Sequence, residues 1–182
     1  MNFHLTLHLI LSELQKNHIE YGLVGGLALG ILGIDRATTD IDFLVKNMDK
    51  DLVRKIMDDL KYESVFQSMN FSLFQSPLKE FGEIDFIHPN SITISEILSQ
   101  TLNFNIYEDS LPIKVVKPED LILLKLQAIK LDANRKLIDE SDIISLINIY
   151  DKEINKDRLI KFAVKLEMEN YILDLFRRNK NE

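Results

Sequence analysis

The stretch Thr39-Asp40-Ile41-Asp42-Phe43-Leu44-Val45, preceded by the turn Gly25-Gly26, decides how this chain is read. On a β-strand successive side chains point to opposite faces, so Asp40 and Asp42 share one face while Ile41 and Phe43 enter a core on the other. Two like charges held that close call for a cation between them. Mg²⁺ suits the task, because it takes hard oxygen ligands and is ordinarily held by one or two carboxylates together with substrate phosphates. A glycine pair between a strand and a helix lets backbone approach a ligand closely, with the first free amides of the helix turned toward an anion. Gly25 and Gly26 are therefore candidates for phosphate contact. Thirteen residues separate Gly26 from Asp40, enough for a short helix and a return strand, which sets the turn beside the acid pair. A metal-dependent phosphate site is the expectation.

A third carboxylate is available in Gly82-Glu83-Ile84-Asp85-Phe86-Ile87. Asp85 alternates with Ile84 and Phe86 and emerges on the face opposite them, where an unpaired buried carboxylate is expensive unless a metal or a partner meets it. Glu83 competes for this role but is read as facing the other way. Lys125 falls near the middle of the apolar helical arc set by Leu121, Ile122, Leu124, Ala128 and Ile129, so it needs a partner. It snorkels to the surface, pairs with an acid, or reaches the triphosphate of a bound nucleotide, and the last is the preferred reading. Asp139 shares a face with Ile143, Leu146 and Tyr150 and is read as either a helix cap or a site residue, with Asp142 at the edge of that face. Arg135 and Lys136 just before it are a solvated run or a phosphate contact.

The rest of the chain bounds these expectations. With 182 residues, 46% of them apolar and 28% charged, one domain, or one domain with a helical extension, is expected. The absence of cysteine excludes a disulfide framework and a thiolate zinc site. His4, His8, His18 and His88 lack the spacing with carboxylates that zinc would need, and the His4/His8 pair is read as part of an amphipathic helix. No apolar run is long enough for a membrane span, and the start of the chain lacks the pattern of a signal peptide, so a cytoplasmic location without membrane contact is expected. The net charge of −7 argues against a broadly basic nucleic-acid platform.

Hydrophobic periodicity predicts helices over 3–17, 27–32, 48–60, 94–100, 118–131, 139–150 and a last, broken one over 156–178. In the helix over 48–60, Leu52, Val53, Ile56, Met57 and Leu60 are expected on the inner side. Strands are predicted over 21–24, 41–45, 64–67, 71–75, 84–87, 104–107 and 113–116, the last two around a turn at Asp109-Ser110, with the strands extending one sheet.

Gly25-Gly26, Arg36-Ala37-Thr38-Thr39-Asp40-Ile41-Asp42-Phe43 and Ile84-Asp85-Phe86-Ile87 together resemble the polymerase-β-like nucleotidyltransferase superfamily. There, a Gly-Gly or Gly-Ser turn, an Asp-x-Asp strand and a later acidic strand form the catalytic core. The subgroup most similar is that of minimal bacterial nucleotidyltransferases related to AbiEii-type toxins. The likeness includes the Arg-x-Thr-x-Asp-x-Asp spelling and the segment from Val116 through Lys125 to Arg135, Asp139 and Asp142, and it covers roughly residues 20 to 150. The resemblance implies an α/β (α+β) fold, a mixed sheet flanked by helices. Residues 1–116 would be the nucleotidyltransferase core and 117–182 a helical region packed on it.

It further implies an enzyme that moves a nucleoside monophosphate from an NTP to an acceptor hydroxyl. Two Mg²⁺ ions would sit on Asp40, Asp42 and Asp85, with Asp85 also able to accept a proton, while Arg36 and Lys125 would neutralise the leaving pyrophosphate. One position departs from the pattern. Many active members carry serine where this chain has Gly26, and Thr38 or Thr39 would supply the missing hydroxyl. Toxin-like relatives modify tRNA ends or proteins and act with a cognate antitoxin. Relatives that modify lincosamides or aminoglycosides give the alternative acceptor, which Ile84-Asp85-Phe86-Ile87-His88-Pro89 also resembles. A further alternative is a fold member that binds a nucleotide or partner chain without transfer.

Overall fold

Strand β2 (Asp40–Val45) sits in the middle of the sheet, and its two faces carry different chemistry. Ile41 and Phe43 are fully buried on one face, whereas Asp40 and Asp42 on the other are only half-buried. The computed structural model describes residues 1–90, 93–106 and 111–179, and these form two compact units, Met1–Val116 and Lys117–Glu182.

The first unit begins with helix α1 (Phe3–Lys16), whose Leu7, Ile10, Leu11 and Leu14 recur at helical spacing and are buried. Strand β1 (Tyr21–Val24) is buried along its whole length and passes directly into the short helix α2 (Gly25–Ile31). After β2, a 3₁₀ turn leads into helix α3 (Lys50–Asp59), which buries Val53, Ile56 and Met57. Leu52, expected on the same side, lies on the exposed side instead. Strands β3 (Glu63–Gln67), β4 (Phe71–Gln75) and β5 (Glu83–Ile87) follow, then helix α4 (Thr93–Ser99) and the short strands β6 (Leu102–Phe104) and β7 (Ile113–Val115).

The seven strands form one mixed sheet in the order β3-β4-β5-β2-β1-β7-β6. Pairs β2/β5 and β1/β7 are parallel, and the other neighbours are antiparallel. Phe43 stacks on Phe86 at 5.5 Å between ring centroids and takes Tyr21 edge-on at 5.7 Å. That aromatic contact fastens β1, β2 and β5 together on the buried face. At the far end of β5, buried His88 ties down the β3–β4 turn, bonding the Met69 carbonyl through Nδ1 (3.1 Å) and the Ser72 hydroxyl through Nε2 (2.8 Å). The Asn47 side-chain amide donates to the carbonyls of both His88 and Met69.

Strand β6 lies nearer the start of the chain than the predicted 104–107, and the predicted turn at Asp109-Ser110 falls outside the described residues. The second unit is helical: α5 (Pro118–Leu131), α6 (Lys136–Tyr150), α7 (Lys156–Lys165) and α8 (Glu169–Asn179). Pro118 opens α5 where a missing amide hydrogen costs nothing. The break expected within 156–178 occurs where Glu167 takes a left-handed φ of 58°. Buried Asp120 of α5 pairs with Arg158 of α7. Among the described residues no helix is long and apolar enough to cross a membrane.

Candidate active site

The strand register brings the three predicted acids together. In the antiparallel β1/β2 pair Val24 stands opposite Asp42, and in the parallel β2/β5 pair Asp42 stands opposite Asp85. One carboxylate oxygen from each of Asp40, Asp42 and Asp85 lies within 4.8 Å of the other two. Asp85 is the most buried of the three, and its Oδ1 is shut off from solvent with no hydrogen-bond partner among the described residues. Burial, and then the charges of Asp42, Glu83 and Asp40, push its carboxyl up to about 7. Such an orphaned oxygen inside a three-carboxylate cluster fits a divalent cation with hard oxygen preference.

The expected orientation of Glu83 is corrected by the same register. Glu83 lies two residues before Asp85 on β5 and pairs with Asp40, so it shares the face of the acids, and its charge is felt at Asp85. It is nonetheless not one of the three that converge.

The glycine turn lies against this cluster. Gly25 has a φ of 67°, and a Cβ added there would stand 1.8 Å from Asp42 Oδ2. Only glycine lets the chain turn from β1 into α2 directly beneath that carboxylate. At Gly26 the obstacle is a different residue: an added Cβ would lie 2.7 Å from Thr38 Cβ and 2.8 Å from its hydroxyl oxygen. The Thr38 hydroxyl donates to Asp40 Oδ1. Arg36 and Thr39 are exposed on the same segment that leads into β2. Of the residues expected at a nucleotide, Gly25, Gly26 and Thr38 thus gather at the acids.

Lys125 and Asp139 meet each other within the second unit. The Lys125 ammonium donates to Asp139 Oδ1 at 2.9 Å and to Asp142 Oδ2 at 2.7 Å, and Arg135 Nε donates to Asp139 Oδ2 at 2.9 Å. Burial works to raise the Asp139 carboxyl, but the hydrogen bonds and charges of Arg135 and Lys125 outweigh it and hold it below the ordinary carboxylate value. Asp142, placed at the edge of the face from sequence, is a full partner, and Arg135 is an ion-pair residue of Asp139. Sequence periodicity identified the need for a partner at Lys125 but not which acids would meet it.

Three convergent carboxylates beside a glycine turn are consistent with phosphate chemistry, and the family match decides its class. A family described as Nucleotidyl transferase of unknown function (DUF2204) matches residues 4–171, which include the turn, both acidic strands and the helical segment. The chain belongs to this family. As a DUF2204 member it is an enzyme of the nucleotidyl transferase class, and its mixed sheet flanked by helices is the nucleotidyltransferase fold.

No curated protein matches the chain by sequence. Among solved structures, the antibiotic-resistance factor ANT(2'')-Ia is similar with a TM-score of 0.63 and 13% identity, the match covering 98% of this chain and 99% of that one. The lincosamide antibiotic adenylyltransferase LnuA, solved with lincomycin bound, is similar with a TM-score of 0.53 and 17% identity over 79% of this chain and 96% of its own. An antigenic nucleotidyltransferase-like protein from Paracoccidioides brasiliensis matches with a TM-score of 0.52 and 16% identity over 94% of this chain and 91% of its own. At these identities the likeness to the DUF2204 chain is one of fold.

Proposed function

We propose that this protein transfers a nucleoside monophosphate from an NTP to an acceptor hydroxyl, with Asp40, Asp42 and Asp85 holding two Mg²⁺ ions. The observation that carries the reading is the convergence of three carboxylates from adjacent strands, one oxygen of which is buried with no partner among the described residues. When bound at these acids, the cations would supply charge neutralisation for the triphosphate and acidify the acceptor hydroxyl.

The chain's own groups do the rest. Gly25 and Gly26 let the turn pack directly against Asp42 and Thr38 at the acid cluster. The backbone of that turn, with the exposed Arg36 and Thr39 of the segment leading into β2, would supply the triphosphate contacts. The acceptor oxygen attacks the α-phosphorus, the bond to the bridging oxygen breaks, and pyrophosphate leaves. Asp85, which converges with Asp40 and Asp42, is the group proposed to take the proton that the hydroxyl gives up. Lys125 and Asp139 are less readily placed at the phosphates, because two carboxylates already neutralise that ammonium. Their arrangement supports a framework role in the helical unit.

For the acceptor, the Arg-x-Thr-x-Asp-x-Asp spelling supports an AbiEii-type, cytoplasmic enzyme that modifies tRNA or a protein and is controlled by a cognate antitoxin. A second reading, a small antibiotic acceptor, is favoured by the net charge of −7. An acidic surface repels a polyanion and draws in a polycationic aminoglycoside. Incubation of the purified protein with Mg²⁺ and each labelled NTP, together with bulk tRNA, a cell protein extract or an aminoglycoside panel, tests the proposal and separates the acceptors. Label should pass to one acceptor class with the wild type and to none with Asp42→Ala. Transfer retained in Asp42→Ala would remove the metal assignment.

A further inference from the structure

The space that a side chain at residue 26 would need is already taken. A Cβ at that position would meet the Cβ and hydroxyl of Thr38 at 2.7 and 2.8 Å, closer than such atoms approach, and the first of these contacts is with a rigid atom rather than with the end of a flexible chain. The Thr38 hydroxyl that presses into this space is not idle. It donates to Asp40 Oδ1 and lies 3.4 Å from the Asp40 backbone oxygen. A hydroxyl has a single proton, so while it serves Asp40 it has none for a phosphate.

We propose that Thr38 is a positioning residue: its hydroxyl fixes the rotamer of the Asp40 carboxylate for metal binding, and its side chain interlocks with the bare backbone of Gly26. This rests on the reading of Asp40 as a metal ligand, and it adds that residues 26 and 38 are a single unit. Groups that hydrogen-bond a metal-ligating carboxylate orient it and reduce what the ion must spend in ordering it, and their loss commonly weakens binding by about tenfold or more. The interlock explains why glycine, and not serine, occupies the second turn position. The neighbouring threonine fills the volume that a serine would claim, and turns its hydroxyl to the acid strand instead of the turn.

Mn²⁺ affinity by calorimetric titration and Tm in excess EDTA, each measured on the full chain, test the two halves separately. Thr38→Val keeps the shape and removes the hydroxyl, so Mn²⁺ binding should weaken by roughly tenfold while the metal-free Tm stays near that of the wild type. Thr38→Ser restores the hydroxyl and should bind within about twofold of the wild type, which a purely steric role for Thr38 would not produce. Equal affinity in wild type and Thr38→Val, or equal weakening in Thr38→Val and Thr38→Ser, overturns the positioning role. Failure of the wild type to bind Mn²⁺ overturns the metal reading and this role with it.

The interlock is judged without metal. Gly26→Ala should lower the Tm sharply, and Thr38→Gly, which removes the obstructing Cβ, should recover much of that loss when the two are combined. Additive losses in Gly26→Ala, Thr38→Gly and the double variant overturn the interlock. A low-yield Gly26→Ala is compared at reduced temperature by urea titration, where the same non-additivity is expected.

Discussion

Raising the pH from about 6 to about 8 is expected to tighten divalent-metal binding by roughly tenfold. The cause lies at Asp85, which burial and the neighbouring Asp42, Glu83 and Asp40 push up to about 7. With that midpoint about one molecule in eleven carries an ionised Asp85 at the lower pH and about ten in eleven at the upper, and only the ionised form is a full ligand. The stability of the metal-free protein runs the other way. The native chain keeps its Asp85 proton up to about pH 7, whereas an unfolded aspartate releases it near about pH 4. Across that window the native state binds more protons than the unfolded one, so stability falls as pH rises, and the penalty is absent below it.

Mn²⁺ titration calorimetry at both pH values, with Tm recorded in EDTA, reads both trends. Asp85→Asn should flatten the pH dependence, weaken Mn²⁺ binding throughout, and raise the metal-free Tm at about pH 8 while changing it little at about pH 4. Identical Mn²⁺ affinity at the two pH values would refute the reasoning. So would the same pH slope in wild type and Asp85→Asn.

Three further outcomes follow from the geometry. Gly25→Ala places a methyl 1.8 Å from Asp42 Oδ2 on a backbone with a φ of 67°. Left-handed strain alone costs about 1–2 kcal/mol, so Tm should fall and Mn²⁺ affinity with it, as read by scanning and titration calorimetry; unchanged metal binding would mean that Asp42 is free to move aside. Lys125→Met leaves Asp142 without that ammonium and Asp139 with Arg135, and should destabilise the chain by about 3 kcal/mol in urea unfolding. A folded Lys125→Met that keeps its stability but loses NTP affinity would return this lysine to the phosphates. His88 is held below the ordinary histidine value by burial, with Lys50 adding to the effect. The unfolded chain then binds a proton that the native state refuses, so stability should drop as pH falls through about 6. His88→Gln should remove that component in Tm measurements across pH, and an unaltered acid slope would contradict it.

Much of the sheet was legible because strand alternation is a strict signal. Asp40 and Asp42 on one face with Ile41 and Phe43 on the other left one workable orientation for β2, and the same rule lifted Asp85 out of the Ile84/Phe86 core. The same rule puts Glu83, two residues from Asp85, on the face of the acids, against the expectation that it faces the other way. Strand β6 begins earlier than predicted because a three-residue strand at the sheet edge, paired with β7 among the described residues, carries little periodicity. Helix α6 begins at Lys136, earlier than Asp139, because a preceding 3₁₀ turn feeds straight into it and Asp139 is not its cap. The partners of Lys125 come from another helix, and the hold of Thr38 on Asp40 depends on a side-chain rotamer. Neither of these leaves a trace in residue spacing.

The central place of β2 carries a consequence for accuracy. The strand is hydrogen-bonded on both edges, to β1 and to β5, so a slip of one residue would drive two aspartates into the aromatic core and eject Ile41 and Phe43 into water. Misaligned chains are therefore rejected during assembly by greasy side chains that never meet a substrate. Evolution can tune the acids only within limits that those two apolar neighbours police.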